Sequence, residues 1–148
     1  MLRDALEGAG EARLLPRFLL PLAEFAALLG EAGEIGQGLT TVEGILERTK
    51  VRDERWYVSE LLRIRGELLA KTTGREVAAE RCFIEGIEIA SDQGALFWQL
   101  RSALSLARLK AGQGERSQAR TILAPVFGSF TEGHWIVDLR ESDRKSVV

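Results

Sequence analysis

The sequence predicts an all-α protein built as a right-handed α-solenoid of antiparallel helix hairpins, with a repeat of about 40 residues. Three observations lead to this fold class. Apolar residues recur every three or four positions over successive segments, glycines separate those segments, and small residues return at a nearly constant spacing. A hairpin of this kind cannot bury all of its apolar residues by itself, so neighbouring hairpins are expected to stack.

The central hairpin, residues 56–93, shows the pattern most clearly. Its first helix is predicted to be apolar on two adjoining faces, which consist of Val58, Leu62, Gly66 and Leu69 and of Leu61, Ile64 and Leu68. A turn at Gly74 separates it from a second helix, which ends near Gly94 and has the apolar line Ala79, Phe83, Gly86, Ile87 and Ala90. A helix with two apolar faces has two neighbours, so this hairpin is expected to lie inside a larger array.

Small residues and turn glycines recur along the chain with one shared period. Ala26, Gly66 and Ala107 follow one another at intervals of about 40 residues, as do the turn glycines Gly33, Gly74 and Gly114. Twelve residues after each small residue of the first set, and beyond the turn glycine, comes another small residue, namely Gly38, Ala78 and Ala119. An aromatic residue opens the first helix of two repeats, at Trp56 and Phe97. Agreement among these markers indicates three repeats.

The first repeat is predicted to span residues 14–50. Its first helix, Leu14 to Gly30, is the most apolar run of the chain, but it contains charged residues and is shorter than the ~20 residues that a membrane span needs. Pro21 is expected to kink this helix or to mark its true start. Because glycines weaken the next turn, the second helix is expected to begin anywhere from Glu34 to Thr41.

The third repeat is predicted to span residues 96–127. Its first helix has the apolar line Leu96, Leu100, Ala103 and Ala107, and its second helix the line Ala119, Leu123 and Val126. Pro125 is expected to bend or end that second helix. Residues 128–148 are expected to form an exit loop, which begins with the aromatic and glycine-rich stretch from Phe127 to Gly133, and a short closing helix.

Composition excludes several classes of function. The chain has 148 residues with 20 Lys and Arg against 22 Asp and Glu, which gives a net charge of −2 without any basic run. We therefore expect no nucleic-acid partner and no membrane partner. The single cysteine, Cys82, rules out an internal disulfide and is predicted to be a small buried apolar residue. No secretory signal is found in residues 1–10, so the protein is expected to be cytoplasmic.

Several short motifs combine into a resemblance to a known family. They are Leu14-Leu15-Pro16 with Phe18-Leu19, Leu22-Ala23-Glu24, Glu47-Arg48-Thr49, Glu54-Arg55-Trp56-Tyr57, Arg65-Gly66-Glu67-Leu68-Leu69, Leu123-Ala124-Pro125-Val126-Phe127-Gly128 and Phe130-Thr131-Glu132-Gly133. Together they resemble the carboxy-terminal tetratricopeptide-like region of large bacterial regulators. In those regulators a cyclase-like or DNA-binding output domain precedes an ATPase module, and a helical repeat array closes the chain.

The resemblance implies a tetratricopeptide-like solenoid that serves as the sensing or docking arm of a bacterial signalling or transcriptional regulator. It also implies that residues 1–10 are the tail of a preceding repeat and that the chain is a fragment or a shortened relative of such a regulator. Neither a cyclase, an ATPase nor a helix-turn-helix motif is present in the sequence. The pair His134-Trp135 and a closing helix without an apolar end depart from the family pattern.

The sequence predicts no catalytic, cofactor-binding or metal-binding residue. The sole histidine, His134, has only Glu132 and Asp138 near it in sequence and is interpreted as a solvated loop residue. The carboxylate pairs Glu60 with Glu67 and Glu85 with Glu88 are interpreted as helix-surface charges that pair with nearby arginines. We therefore expect a protein that is not an enzyme and has no cofactor.

The resemblance implies which side chains line the inner surface of the array. They are Glu60, Arg63, Glu67, Arg101 and Arg108. We hypothesise that the three arginines grip a carboxylate or an acidic segment of a protein or peptide partner, or of another domain of a parent chain, because guanidinium groups suit that geometry. The alternative is a solvated face held by ion pairs.

Two other functions stay open. The first hairpin presents Leu14, Phe18, Leu22 and Phe25 without an obvious cover, so a homodimer through that end is predicted. The inner groove is also able to accept a small inducer, as the regulatory resemblance allows.

Overall fold

The computed structural model describes residues 19–52 and 55–132, and this part of the chain is helical with no strand. The elements are α1 (Leu19–Glu31), α2 (Ile35–Arg52), a 3₁₀ turn (Arg55–Tyr57), α3 (Val58–Ala70), α4 (Glu76–Asp92), α5 (Leu96–Gly112) and α6 (Arg116–Glu132). The predicted all-α class is confirmed. The predicted tail in residues 1–10, together with Leu14, Phe18, His134 and the closing helix, lies outside the described residues.

Helices pack mainly on their nearest neighbours in the chain. Each helix contacts the next one, and α3 also contacts α1 on one side and α5 on the other. Helices α1, α3 and α5 therefore lie side by side, and α2, α4 and α6 pack against them. The predicted pair of apolar faces on α3 is explained by this position, because α3 has neighbours on several sides.

The turns at Gly33, Gly94 and Gly114 share one form of helix ending. These glycines have φ angles of 85°, 66° and 84°. In each turn the N–H after the glycine donates to the carbonyl five residues earlier, at 2.8 Å in the first two turns and 2.9 Å in the third. This is the Schellman ending, which needs a left-handed residue and so favours glycine. The predicted turns at Gly33 and Gly114, and the predicted cap at Gly94, are confirmed.

The turn between α3 and α4 is longer than those three. Gly74 lies in this turn, as predicted, with a φ of 80°, but α3 ends at Ala70 and α4 begins only at Glu76. This length corrects one predicted repeat position. Gly38 and Ala119 each donate their N–H to the carbonyl of the residue that precedes α2 and α6. In α4 the residue in this position is Ala79 and not Ala78, because the Ala79 N–H donates to the Arg75 carbonyl. Ala79 is fully buried and Ala78 is only partly buried.

Apolar side chains fill two connected core clusters. The first joins α1, α2 and α3 and contains Leu19, Ala23, Ala26, Val42, Ile45, Tyr57, Leu61, Ile64 and Leu68. The second joins α3, α4 and α5 and contains Leu69, Ala79, Cys82, Phe83 and Leu106. Ala26, Gly66 and Ala107 are buried, as the sequence predicted. Ser59 on α3 also donates a buried hydrogen bond to the Gly86 carbonyl on α4 at 2.8 Å.

Two helix boundaries resolve open questions from the sequence. Helix α2 begins at Ile35, so its glycines are accommodated in the first turn. Helix α6 runs through Pro125 to Glu132, so of the two alternatives expected at Pro125 the helix end is wrong, and the predicted loop is wrong over residues 127–132. Pro125 has no N–H to donate to the Thr121 carbonyl, and both residues are exposed. In α1, Pro21 comes two residues after Leu19, where the described helix begins.

Candidate functional site

The side-by-side packing of α3 and α5 brings four of the five predicted partner-binding residues together. Glu60, Arg63 and Glu67 lie on α3, and Arg101 on α5 contacts Glu60 directly. Arg108 lies two turns further along α5, is exposed, and makes no hydrogen bond or ion pair within the described part of the chain. We call the surface formed by these two helices the α3/α5 face.

Glu60 is the centre of the charge cluster. Its carboxylate accepts hydrogen bonds from Nε and Nη2 of Arg63 at 2.9 and 2.7 Å, and Nη2 of Arg101 lies 2.9 Å from its Oε1. The side chain of Glu60 is only 1% exposed. The sequence placed Glu60 on an open surface, and the structure corrects this: its carboxylate is enclosed by two guanidinium groups and is not open to a partner.

Arg63 is also committed to contacts within the chain. Its side chain is 14% exposed, and its Nη1 lies 3.7 Å from Glu67 as well. Burial alone would lower the pKa of Arg63, but the hydrogen bond and the charge of Glu60 more than offset burial, so the pKa is raised. Ser105 on α5 donates to Glu67 at 2.6 Å. The Ser105–Glu67 hydrogen bond and the Arg101–Glu60 ion pair therefore tie α3 to α5.

Four aromatic rings run along one end of the α3/α5 face. Trp56 lies 5.2 Å from Tyr57, Tyr57 lies 5.6 Å from Trp98, and Trp98 lies 5.2 Å from Phe97, measured between ring centroids. We call this set the aromatic row. Its two outer members are open to solvent, with Trp56 48% and Phe97 58% exposed. Sequence reasoning used Trp56 and Phe97 only as repeat markers and missed this surface.

Arg101 lies where the aromatic row and the charge cluster meet. Its guanidinium carbon is 5.7 Å from the Phe97 ring centroid and 6.0 Å from that of Trp98, which is within cation–π range. Its side chain is 38% exposed, and its Nε is buried without a hydrogen-bond partner within residues 19–52 and 55–132. Arg101 is thus held in place by the chain while part of its guanidinium is open to solvent.

Tyr57 is the buried member of the aromatic row. Its hydroxyl has no hydrogen-bond partner among the described residues. Burial raises the pKa of this phenol above its ordinary value, and the negative charges of Glu60 and Glu24 raise it further. The phenol is therefore neutral, and its buried ring packs beneath the exposed members of the aromatic row.

The predicted self-association surface is described only in part. Leu22 and Phe25 on α1 are partly buried, and Leu22 packs against the first core cluster. Leu28, on the outer side of the same helix, is 65% exposed. An apolar edge is thus present on α1, and the predicted homodimer stays a prediction.

A second concave region lies on the opposite side of α3, between α2 and α4. It encloses about 870 Å³ and is lined by Glu43, Leu46, Glu47, Thr49, Lys50, Arg55, Val58, Leu62, Arg65, Glu85, Ile89, Asp92 and Gln93. Beside it, Arg65 donates to the sulfur of Cys82 at 3.1 Å. Cys82 is buried, as the sequence predicted. We call this region the α2/α4 groove.

Comparison with known proteins adds no assignment. Within residues 19–52 and 55–132, no three His, Cys, Asp or Glu side chains group as metal ligands would, and no helix has the length and apolar character to cross a bilayer. No protein-family model matches the chain, and no curated protein or solved structure is significantly similar to it.

Proposed function

We propose that the chain is a non-catalytic helical-repeat module that binds an extended segment of a partner protein on the α3/α5 face. The observation that carries this proposal is the aromatic row with Arg101 stacked on it. Exposed aromatic and arginine side chains held by a rigid scaffold are the residue types that contribute most to protein interfaces. The side chains of Arg101, Trp98 and Tyr57 are already fixed by their packing. Little conformational entropy is therefore lost when a partner binds.

The helix packing supports a tetratricopeptide-like solenoid as the architecture of this module. The second helices of the three hairpins begin at Ile35, Glu76 and Arg116, so successive starts are separated by about 40 residues. The first helices, α1, α3 and α5, lie side by side. In solenoids of helix pairs such a layer forms the extended binding surface, and the α3/α5 face belongs to it.

We further propose that this module acts in the cytoplasm as the sensing or docking arm of a bacterial signalling or transcriptional regulator. The support for this role is the resemblance of its motifs to the carboxy-terminal region of such regulators. The partner is then a second protein or another domain of a parent chain.

Photo-crosslinking from the α3/α5 face tests the proposal. A benzophenone amino acid is placed at Phe97 and, as the control, at Val77, which is 70% exposed on α4. In cells that produce the chain, the probe at Phe97 should form a discrete crosslink whose peptide is identified by mass spectrometry, and the probe at Val77 should not. Equal crosslinking from both positions, or none from Phe97, contradicts the proposal.

The α2/α4 groove favours a second candidate function, the binding of a small inducer. Its volume of about 870 Å³ is within the range of small-molecule sites. Its lining combines charged residues such as Arg65 and Glu85 with apolar residues such as Leu62, so the ligand would carry both polar and apolar groups. A small-molecule screen by thermal shift tests this candidate, with Leu62→Trp to fill the groove. A ligand whose stabilisation persists in that variant binds elsewhere.

A further inference from the structure

Arg101 and Arg108 form a row of positive charge on α5, and the structure shows why these two arginines differ from Arg63. Arg63 uses its Nε and Nη2 on Glu60 and holds its Nη1 near Glu67. Arg101 contributes only Nη2 to Glu60, and Arg108 has no partner in residues 19–52 and 55–132. On the α3/α5 face, Arg101 and Arg108 are therefore the arginines with guanidinium N–H groups left over for a partner.

Their spacing is fixed by the helix that carries them. Phe97, Arg101, Leu104 and Arg108 are spaced by four, three and four positions, so they form one stripe along α5. Arg101 and Arg108 are two helical turns apart, which at about 1.5 Å per residue separates their backbones by roughly 10 Å. The stripe contains no carboxylate, and Leu104, between the two arginines, is partly buried.

The nearby carboxylates on α3 neutralise only part of this stripe, because Glu60 pairs with Arg101 and neither carboxylate pairs with Arg108. Glu60 is buried between Arg63 and Arg101, and the Oε1 of Glu67 accepts a hydrogen bond from Ser105. On the five residues of the predicted binding surface, three arginines therefore face two glutamates. The excess positive charge lies at Arg108, where solvent reaches it.

We propose that the α3/α5 face recognises an extended acidic segment of the partner, with two carboxylates three positions apart, one on Arg101 and one on Arg108. This inference rests on the proposed function. A polyproline II segment repeats every three residues with a rise of about 3.1 Å, so side chains three positions apart share one side at roughly 9 Å. That distance matches the spacing of the two arginines. An apolar side chain of the segment then packs on Phe97.

Fluorescence anisotropy with designed peptides tests this proposal. The probes are short labelled proline-rich peptides with two glutamates two, three or four positions apart, and a matching set with two glutamines. The three-position glutamate peptide should bind tightest at low salt. Its glutamine counterpart should bind about a hundred-fold more weakly, because each of the two charge-assisted contacts contributes about ten-fold. Binding should weaken as salt is added.

Matched variants assign the effect to the two arginines. Arg108→Gln, which removes no contact within the described chain, should weaken the three-position peptide about ten-fold and abolish the preference for that spacing. Arg101→Gln should do the same, and Arg101→Lys should restore only part of the affinity because lysine lacks the planar fork. Arg81→Gln, an exposed arginine on α4, should have no effect.

The outcomes separate this proposal from the proposed function. If no peptide binds, or if binding ignores charge and spacing, the acidic-segment proposal is overturned. Crosslinking from Phe97 would then still support partner binding on this face. If the acidic peptides bind equally well to Arg108→Gln, the contact with Arg108 does not form and the two-arginine proposal is overturned. Failure of the Phe97 crosslink removes the proposed function itself.

Discussion

The ring of Phe83 on α4 occupies the space that a side chain at Gly66 on α3 would need. A methyl group built on Gly66 would lie 2.5 Å from Cε1 of that ring, with Cδ1 and Cζ at 2.8 and 2.9 Å. Phe83 is 1% exposed, so its ring is enclosed by the core. Glycine in the middle of a helix is unfavourable by itself, and its place here follows from the close contact between α3 and α4.

Gly66→Ala should therefore destabilise the protein although alanine is the better helix former. Helix propensity favours alanine by about 1 kcal/mol, whereas overpacking a filled core costs roughly 1–3 kcal/mol, so the free energy of unfolding should fall by about 1 kcal/mol. Urea denaturation measures it. Gly44→Ala in α2 is the control, because nothing lies within 4 Å of its added methyl, and it should be stabilising. Equal stabilisation by both variants would refute this account.

Glu60→Gln should lower the free energy of unfolding more than Arg101→Gln does, although the two residues form one ion pair. It leaves the largely buried guanidinium of Arg63 with only the more distant carboxylate of Glu67, at 3.7 Å, which costs roughly 3 kcal/mol. Arg101→Gln should cost only about 1 kcal/mol, because that side chain is partly exposed and Arg63 still pairs with Glu60. Chemical denaturation of both single variants and the double variant gives their coupling energy. Glu88→Gln, an exposed change on α4, serves as control, and a similar loss there would show that burial of Glu60 is unimportant.

Tyr57→Phe should leave stability at neutral pH unchanged or raise it, because it removes a buried hydroxyl that has no partner among the described residues. At alkaline pH the two proteins should differ in another way. The folded chain holds the pKa of Tyr57 above the ordinary value of 10.0, so the unfolded chain loses this proton first. The phenol therefore destabilises the folded state progressively as pH rises above that ordinary value, and Tyr57→Phe should lose less stability there.

Comparison of wild type with Tyr57→Phe isolates the contribution of the phenol. Burial also raises the pKa of the Cys82 thiol, but that contribution is common to both proteins and cancels. Because Tyr57 is the single tyrosine of the chain, its phenolate absorbance reports the titration directly. An ordinary titration in the folded protein would disprove the buried phenol.

Leu28→Lys should weaken self-association if α1 forms the predicted dimer. Leu28 is exposed on α1, and a charge there would have to be desolvated in an apolar interface. Light scattering after size exclusion should give a mass above 16.4 kDa for the wild type at high concentration and a lower mass for the variant. Val51→Lys, on exposed α2 surface, is the matched control. A wild-type monomer at all concentrations would exclude the dimer.

Local rules in the sequence were sufficient for much of the fold. The apolar lines of α3 and α4 follow from helical spacing, and Gly33, Gly74 and Gly114 mark turns because each adopts a positive φ that other residues avoid. The burial of Cys82 and of Gly66 followed from their residue types and positions. These features depend on residues close together in the chain, which a sequence displays directly.

Features that depend on distant residues could not be read from the sequence. Glu60 has the spacing of a surface charge, and its burial depends on Arg101, which lies a full repeat further along the chain on α5. Helix α6 continues beyond Pro125 although the proline removes one backbone donor, and the exposure of both Pro125 and Thr121 is set by the fold. The shift from Ala78 to Ala79 depends on the length of one turn. Each correction involves tertiary context overriding a local pattern.

The packing of each helix on its nearest neighbours has a kinetic consequence. Because the main contacts join helices no more than two apart in the chain, native contacts form after short loop closures, and such topologies fold rapidly. The same packing allows single helices to unfold locally while the rest of the chain stays folded. In native-state hydrogen exchange the amides of α3 and α4 should be the slowest, and those of α6, which packs mainly on α5, should exchange first.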